Sequence, residues 1–145
     1  NDPSLRKEFA PEGFKVPNVA EWEAFYNDLI EGGYNYDDTN NSNKIAKALA
    51  STELWQSSEI IGSPGNSPET NNESTFNAIP VGVRGGCCFT DYFYSRGIGT
   101  YFWTSNEHDE IHGVATHIHY DMVRSSYQNN FKTDGYSVRF IEDQN

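Results

Sequence analysis

The stretch Gly13-Phe14-Lys15-Val16-Pro17-Asn18-Val19-Ala20-Glu21-Trp22 reads as a short extended piece running into a helix. Phe14 and Val16 alternate with Lys15. Asn18 is a natural N-cap, and Glu21 three residues on is its capping-box partner. Trp22, Phe25, Tyr26, Leu29 and Ile30 then fall at i, i+3, i+4, i+7 and i+8, one face of a helix about three turns long. Gly32 and Gly33 stop it. The spacing predicts a helix from Val19 to Glu31 that packs Trp22, Phe25, Tyr26 and Leu29 against a sheet. Near the other end, Gly135-Tyr136-Ser137-Val138-Arg139-Phe140 reads as a closing strand.

Working outward, residues 1–12 are a polar lead-in with Pro3 and Pro11. Tyr34 to Asn43 is a polar loop, and Ser42 or a neighbouring Asn is placed to cap a second helix over Lys44 to Ala50. Ile45, Ala46 and Leu49 give that helix an apolar face. Gln56 to Thr75 is a long surface loop of low hydropathy, of a length that is usually functional or mobile. The period then changes. Phe76 to Arg84, Thr100 to Thr104, Val114 to Tyr120 and Tyr136 to Ile141 read as strands. In Val114–Tyr120, Val114, Thr116, Ile118 and Tyr120 share one face, and Ala115, His117 and His119 the other. Two helices followed by at least four strands predict an α+β fold with an antiparallel sheet. No internal repeat is present.

A chain of 145 residues fits one domain, 1–145. An aromatic fraction of 14%, with Trp22, Trp55 and Trp103 spread along it, argues for an ordered core. The net charge of −11 makes nucleic acid and anionic membrane poor partners. No run of eighteen apolar residues exists to insert in a bilayer. The first residue is Asn, without Met, which fits a processed or excised piece. Cys87 and Cys88 are the only cysteines, so no long-range disulfide can form within the chain. They read either as a strained vicinal disulfide or as two small buried or half-buried thiols. The abundance of Asn, Ser, Thr, Tyr and Gly, with one Met and few Lys, leans extracellular.

Five blocks in order carry a family resemblance. Gly13 to Trp22 resembles the "GWxLPTxxEW" entry of the Fibrobacter succinogenes major paralogous domain, found in Fibrobacter and Bacteroidetes surface and secreted proteins. Leu49 to Trp55 (LASTELW) is similar to its "LKSTSGW", and Asn71 to Arg84 (NNESTFNAIPVGVR) to its "GTDEYGFSALPGGYR". Gly99 to Glu107 (GTYFWTSNE) resembles "GYWWSSTE", and Gly135 to Asp143 (GYSVRFIED) resembles "GYSVRCVRD". The resemblance covers the chain from about Gly13 to its end. It implies a C-type-lectin-like fold, with two helices on a twisted antiparallel sheet and long irregular loops. It also implies export and no established enzymatic activity. The chain lacks the family's upstream "VWMAENL" strand, so the sheet edge it would form is either missing or supplied by another chain. The Cys87–Cys88 pair is no part of the pattern.

Against that background several constellations stand out. Asp37, Asp38, Asn40 and Asn41 supply hard oxygen donors of the kind calcium takes, without EF-hand spacing; a solvated turn is the competing reading. Trp103-Thr104-Ser105-Asn106-Glu107 invites comparison with the Trp-Asn-Asp calcium motif of sugar-binding lectins, but Thr and Ser follow Trp directly. Trp103 therefore reads as core, and Asn106 and Glu107 as a turn. If calcium binds, Asp37, Asp38, Asn106 and Glu107 are the candidate ligands. His117 and His119 share a strand face and could hold a transition metal, with His108, Asp109, Glu110 and His112 upstream. Tyr92, Phe93, Tyr94 and Tyr101 cluster around Arg96, and such aromatics stack on sugar rings or anchor a protein partner. Tyr92, Tyr94, Arg96 and Tyr101 are the candidate ligand-binding residues. Trp22, Trp55, Arg84, Trp103 and Arg139 read as structural, with one or both arginines pairing a carboxylate or capping backbone carbonyls. No Gly-x-Ser-x-Gly, His-Glu-x-x-His or phosphate loop occurs, so no catalytic residue is assigned.

The leading expectation is an extracellular, non-catalytic binding or adhesion module for a glycan or protein ligand, at the cell surface or secreted. The alternatives are a subunit of a cell-surface assembly completed by a strand from another chain, and a metal- or thiol-dependent enzyme.

Overall fold

A capping box starts α1 (Val19–Glu31): Glu21 N–H donates to Asn18 Oδ1 at 2.8 Å, and Asn18 N–H donates to Glu21 Oε2 at 2.7 Å. The helix ends in a Schellman motif. Gly33 sits at φ +85°, with Gly33 N–H on Ile30 O at 3.2 Å and Tyr34 N–H on Leu29 O at 3.0 Å. Both ends are where local sequence places them. The computed structural model describes residues 10–86 and 92–144. The Cys87–Cys88 pair and most of the lead-in lie outside the described residues.

The chain is α+β. Its order is β1 (Phe14–Lys15), α1, α2 (Ala46–Leu49), a 3-10 turn (Pro68–Thr70), β2 (Val83–Gly85), β3 (Tyr92–Tyr94), β4 (Gly99–Glu107), β5 (His112–His119), β6 (Ser126–Phe131) and β7 (Ile141–Glu142). The strands form three antiparallel sheets: β1 with β7, β2 with β3, and β4-β5-β6. In the largest, Phe102 faces Thr116, Tyr101 faces His117, and Thr116 faces Tyr127.

The core lies between α1, α2 and one face of β4-β5-β6. Trp22 is packed by Phe25, Tyr26, Phe76 and Phe102, with ring centroids 5.6–6.1 Å apart. Ile45, Leu49, Ala50, Trp55, Ala78 and Ile118 complete the cluster. Burying each large apolar side chain contributes roughly 1.5–3 kcal/mol. Lys15 bridges Glu21 of α1 at 3.0 Å and Asp143 at 3.5 Å, tying the start of α1 to the strand pair made by the two ends of the described chain.

Three expectations need correction. The second helix is shorter than predicted and has no side-chain cap. Ile45 is its cap residue, and Ala46 N–H is satisfied by Val123 O at 3.1 Å. The buried Asn35 instead organises the preceding loop, accepting from Lys44 N–H at 2.8 Å and donating to Ser42 O at 2.8 Å.

Residues 56–75 are loop apart from the 3-10 turn at Pro68–Thr70, and part of the segment is buried. Ser63 and Asn71 are buried, and Asn71 donates to Ser51 O and Pro64 O at 2.8 and 3.0 Å. Lys47 Nζ donates to Ser67 O and Asn71 Oδ1, both at 3.0 Å.

The predicted strand from Phe76 reduces to Val83–Gly85. Ala78 instead makes a parallel bridge to Ala50, and Gly82, at φ +78° against the Tyr94 carbonyl, turns the chain between them.

The closing segment is not one continuous strand, because its backbone groups are shared among neighbours. Gly135 pairs Arg84, Ser137 pairs β4 through Tyr101 O and Trp103 N–H, and only Ile141–Glu142 forms β7. Conversely β6, Ser-Tyr-Gln-Asn-Asn-Phe, is a strand without an apolar alternation to announce it.

Candidate functional site

β4 alternates in burial. Thr100, Phe102 and Thr104 point into the core, while Tyr101 and Trp103 are half-buried on the opposite face. The closing segment folds over that face and inserts Tyr136 between them. Trp103 stacks on Tyr136 at 4.6 Å, Tyr136 on Tyr101 at 5.1 Å, and Tyr101 on His117 at 5.4 Å, with interplanar angles of 21–29°. The result is a four-ring row of half-buried side chains. Contacts of this geometry add roughly 0.5–1.5 kcal/mol each beyond area burial.

Glycines let these rings lie down on the backbone. A Cβ at Gly113 would sit 3.0 Å from Trp103 Cζ3, and one at Gly99 3.1 Å from Tyr101 Cε2. The same holds on β2, where a Cβ at Gly85 would sit 2.9 Å from Tyr92 Cε1. Tyr92 and Tyr94 stack at 5.1 Å, and both are exposed, as is Phe93 at 82%.

The row is uncharged at neutral pH. Burial holds the His117 imidazole below its ordinary value, helped by His119 and Arg124. Burial raises the Tyr101 phenol. It raises that of Tyr136 too, with Asp134, Tyr94 and Tyr101 adding and a hydrogen bond with Gln128 opposing. Arg84 pairs both Phe93 of β3 and Gly135, which sets the β3 pair beside the segment that carries Tyr136.

Of the predicted ligand-binding residues, Tyr92, Tyr94 and Tyr101 belong to this surface. Arg96 is exposed in the turn after β3, and among the described residues no ring or ion-pair contact joins it to the row. Trp103, expected in the core, lies outside the core cluster and in the row. Sequence reasoning passed over Tyr136 and His117 as members. The i, i+2 spacing of Tyr101 and Trp103 was a usable signal for one shared face; the arrival of Tyr136 was not legible.

The four candidate calcium ligands are held by protein groups or stand apart. Asp37 pairs Lys44 Nζ at 2.5 Å and accepts from Thr39 Oγ1 at 2.7 Å, and the Lys44 and Thr39 hydrogen bonds lower its pKa. Asp38, at φ 57°, is exposed. Asn106 and Glu107 end β4 instead of forming a turn. Asn106 Oδ1 accepts from Val19 N–H at 2.7 Å, a second cap on α1, and Glu107 pairs Lys132. Among the described residues no three His, Cys, Asp or Glu side chains converge as a metal-holding group. His119 pairs Asp121, while His117 meets Ser126 Oγ at 3.2 Å, so the two imidazoles have different partners. Asp109 holds the His112 ring at 2.9 Å, and that hydrogen bond pushes its pKa down to about 2.

The residues read as structural have specific neighbours. Trp22 and Trp55 are buried in the core cluster. Arg139 donates to Phe76 O at 3.0 Å and lies 4.7 Å over the Phe76 ring. The stem of Arg84 crosses Gly135.

No curated protein and no solved structure matches this chain. A family model does, over residues 3–142, and it spans the helix entry, the aromatic row and the closing segment. The chain belongs to the Fibrobacter succinogenes major domain family.

Proposed function

We propose that this chain is a non-catalytic, C-type-lectin-like binding module that works outside the cell and takes a glycan on its aromatic row. The observation that carries the reading is the stack Trp103–Tyr136–Tyr101–His117, half-buried on the sheet face opposite α1 and continued by the exposed Tyr92–Tyr94 pair. Flat rings present the apolar surface on which a sugar ring stacks, and their hydroxyls supply hydrogen bonds at the edge. With a net charge of −11, a neutral ligand is favoured over an anionic one. A Ser126–His117 contact resembles a nucleophile and base, but His117 Nδ1 is buried and has no hydrogen-bond partner among the described residues to orient the ring, which supports a non-catalytic role. The test is a glycan array followed by calorimetry on the protein and its Tyr136→Ala variant. Binding that is lost in the variant supports the reading. Silence across the array, or affinity unchanged by the substitution, overturns it.

A second reading, a surface assembly joined through a sheet edge, is favoured by β6. This strand pairs on one side with β5 and carries no charged residue from Ser126 to Phe131 to discourage a further strand. Light scattering at high concentration tests it, and a strict monomer argues against it.

A further inference from the structure

On the other side of the sheet a groove of about 450 Å³ runs between α1, the loop at Asn40–Asn43 and β6. Small-molecule sites occupy roughly 300–1,000 Å³. The groove lies on the α1 side because Tyr127 is paired with Thr116, whose hydroxyl meets Tyr26 at 2.7 Å. It is separate from the aromatic row, which uses Tyr101 and His117 of the opposite face.

Its floor is the Tyr26–Tyr127 pair, with ring centroids 6.3 Å apart. Glu23 and Asn27 of α1 and Asn40 and Asn41 of the loop line its sides. The side chains of Glu23, Asn27 and Asn40 make no hydrogen bond or ion pair among the described residues. Asn41 Oδ1 already accepts from Thr39, Ser42 and Lys44 Nζ, which leaves its amide N–H groups to donate. The Tyr127 hydroxyl is sealed from solvent, so the groove meets the ring of Tyr127 and not its hydroxyl. Burial, then Tyr26 and Glu23, push its pKa up, which keeps the floor uncharged.

The lining therefore offers amide donors and acceptors, the Ser42 hydroxyl and one carboxylate; it includes no lysine or arginine, and Lys44 touches it only behind Asn41. That set matches vicinal hydroxyls, which donate and accept together, and Glu23 repels an anion. We propose that this groove is a second binding site, for a neutral, hydroxyl-rich ligand of monosaccharide size. Glu23, Asn27 and Asn40 bond its hydroxyls, and the ring of Tyr127 meets its apolar face. The proposal does not rest on the aromatic row, and either site can fail alone.

The test is an NMR titration of the protein with glucose, galactose, mannose and N-acetylglucosamine, with glucuronate as the anionic comparison. At least one neutral sugar should shift the side-chain amide signals of Asn27 and Asn41, and glucuronate should bind at least tenfold more weakly. Asn27→Ala should weaken the neutral sugar roughly tenfold. Tyr127→Phe keeps the ring and removes only the sealed hydroxyl, so it should leave the sugar affinity unchanged. No response at the groove to any of the four sugars overturns the proposal, as does glucuronate binding as tightly as the neutral sugars. So does an Asn27→Ala variant that binds the sugar unchanged, because the amide then lies outside the site. A response confined to Trp103 and Tyr136 overturns the groove and supports the aromatic row.

Discussion

The Tyr26 hydroxyl meets Thr116 Oγ1 at 2.7 Å, joining the middle of α1 to the middle of β5 through the core. Ser125 closes the triangle, donating to Tyr26 at 2.9 Å and lying 3.1 Å from Thr116. Three hydroxyls from helix, strand and β5–β6 loop thus satisfy one another where water does not reach. The helix position is set by this polar pin as well as by apolar packing.

Tyr26→Phe removes one corner and leaves Thr116 and Ser125 bonded to each other. The expected loss is about 1 kcal/mol by denaturant unfolding. The pin also predicts alkaline sensitivity. Desolvation pushes the Tyr26 phenol up to about 12 from 10.0. Above pH 10 the unfolded chain has released a proton that the folded chain retains, so stability is full below pH 10 and is lost as pH rises toward 12. The loss is on the order of 2–3 kcal/mol, and Tyr26→Phe should lack it. An alkaline profile identical in the two proteins would remove Tyr26 from the account.

Trp22 is 4% exposed and touches four aromatic rings. Trp22→Ala should cost about 3–5 kcal/mol, as buried aromatics do. Calorimetric melting checks this; an unchanged midpoint would mean that the cluster closes around the cavity or does not form.

Asn106 caps α1 from β4 through Val19 N–H. Asn106→Ala should cost about 1 kcal/mol, comparable with losing an ordinary N-cap. Asn106→Asp keeps the acceptor and adds a negative charge at the helix N-terminus, so it should recover the loss. Equal melting of Ala and Asp variants would deny the cap.

His117 is held neutral by burial, with a folded pKa below 6.5. Its folded pKa is depressed, so its contribution to stability is present above pH 6.5 and is lost as pH falls through the folded value. Imidazole proton NMR should find His117 titrating below pH 6.5. A midpoint at or above that pH would mean that the row does not cover the ring.

Asp37 is engaged by Lys44 and Glu107 by Lys132. Calcium binding by these carboxylates would first have to displace an ammonium. Adding Ca²⁺ after EDTA should therefore leave the melting temperature unchanged. A site filled at a hundred times its dissociation constant would instead add about 2.7 kcal/mol.

What could be read from the sequence was local. The α1 boundaries, its cap and its buried face follow from Asn18, Glu21, the i, i+3, i+4 spacing and Gly32-Gly33, because a helix bonds only residues a few positions apart. The β4 and β5 segments were legible for the same reason: Thr100–Thr104 is a β-branched and aromatic run, and Val114–Tyr120 alternates. Tertiary structure decided the rest. β6 is polar, and it is a strand because the edge of β5 needs partners for its N–H and C=O groups. Asn106 looked like a turn residue, and only the fold brings it to a helix start 87 positions away. Tyr136 alternates as any strand residue does, yet it becomes the middle of the aromatic row because Ser137 binds both Tyr101 and Trp103. Short-range hydrogen bonding and periodicity are written in the order of residues. Which distant surfaces meet is set by burial and by the need to pair every backbone group, and that is settled only when the whole chain closes.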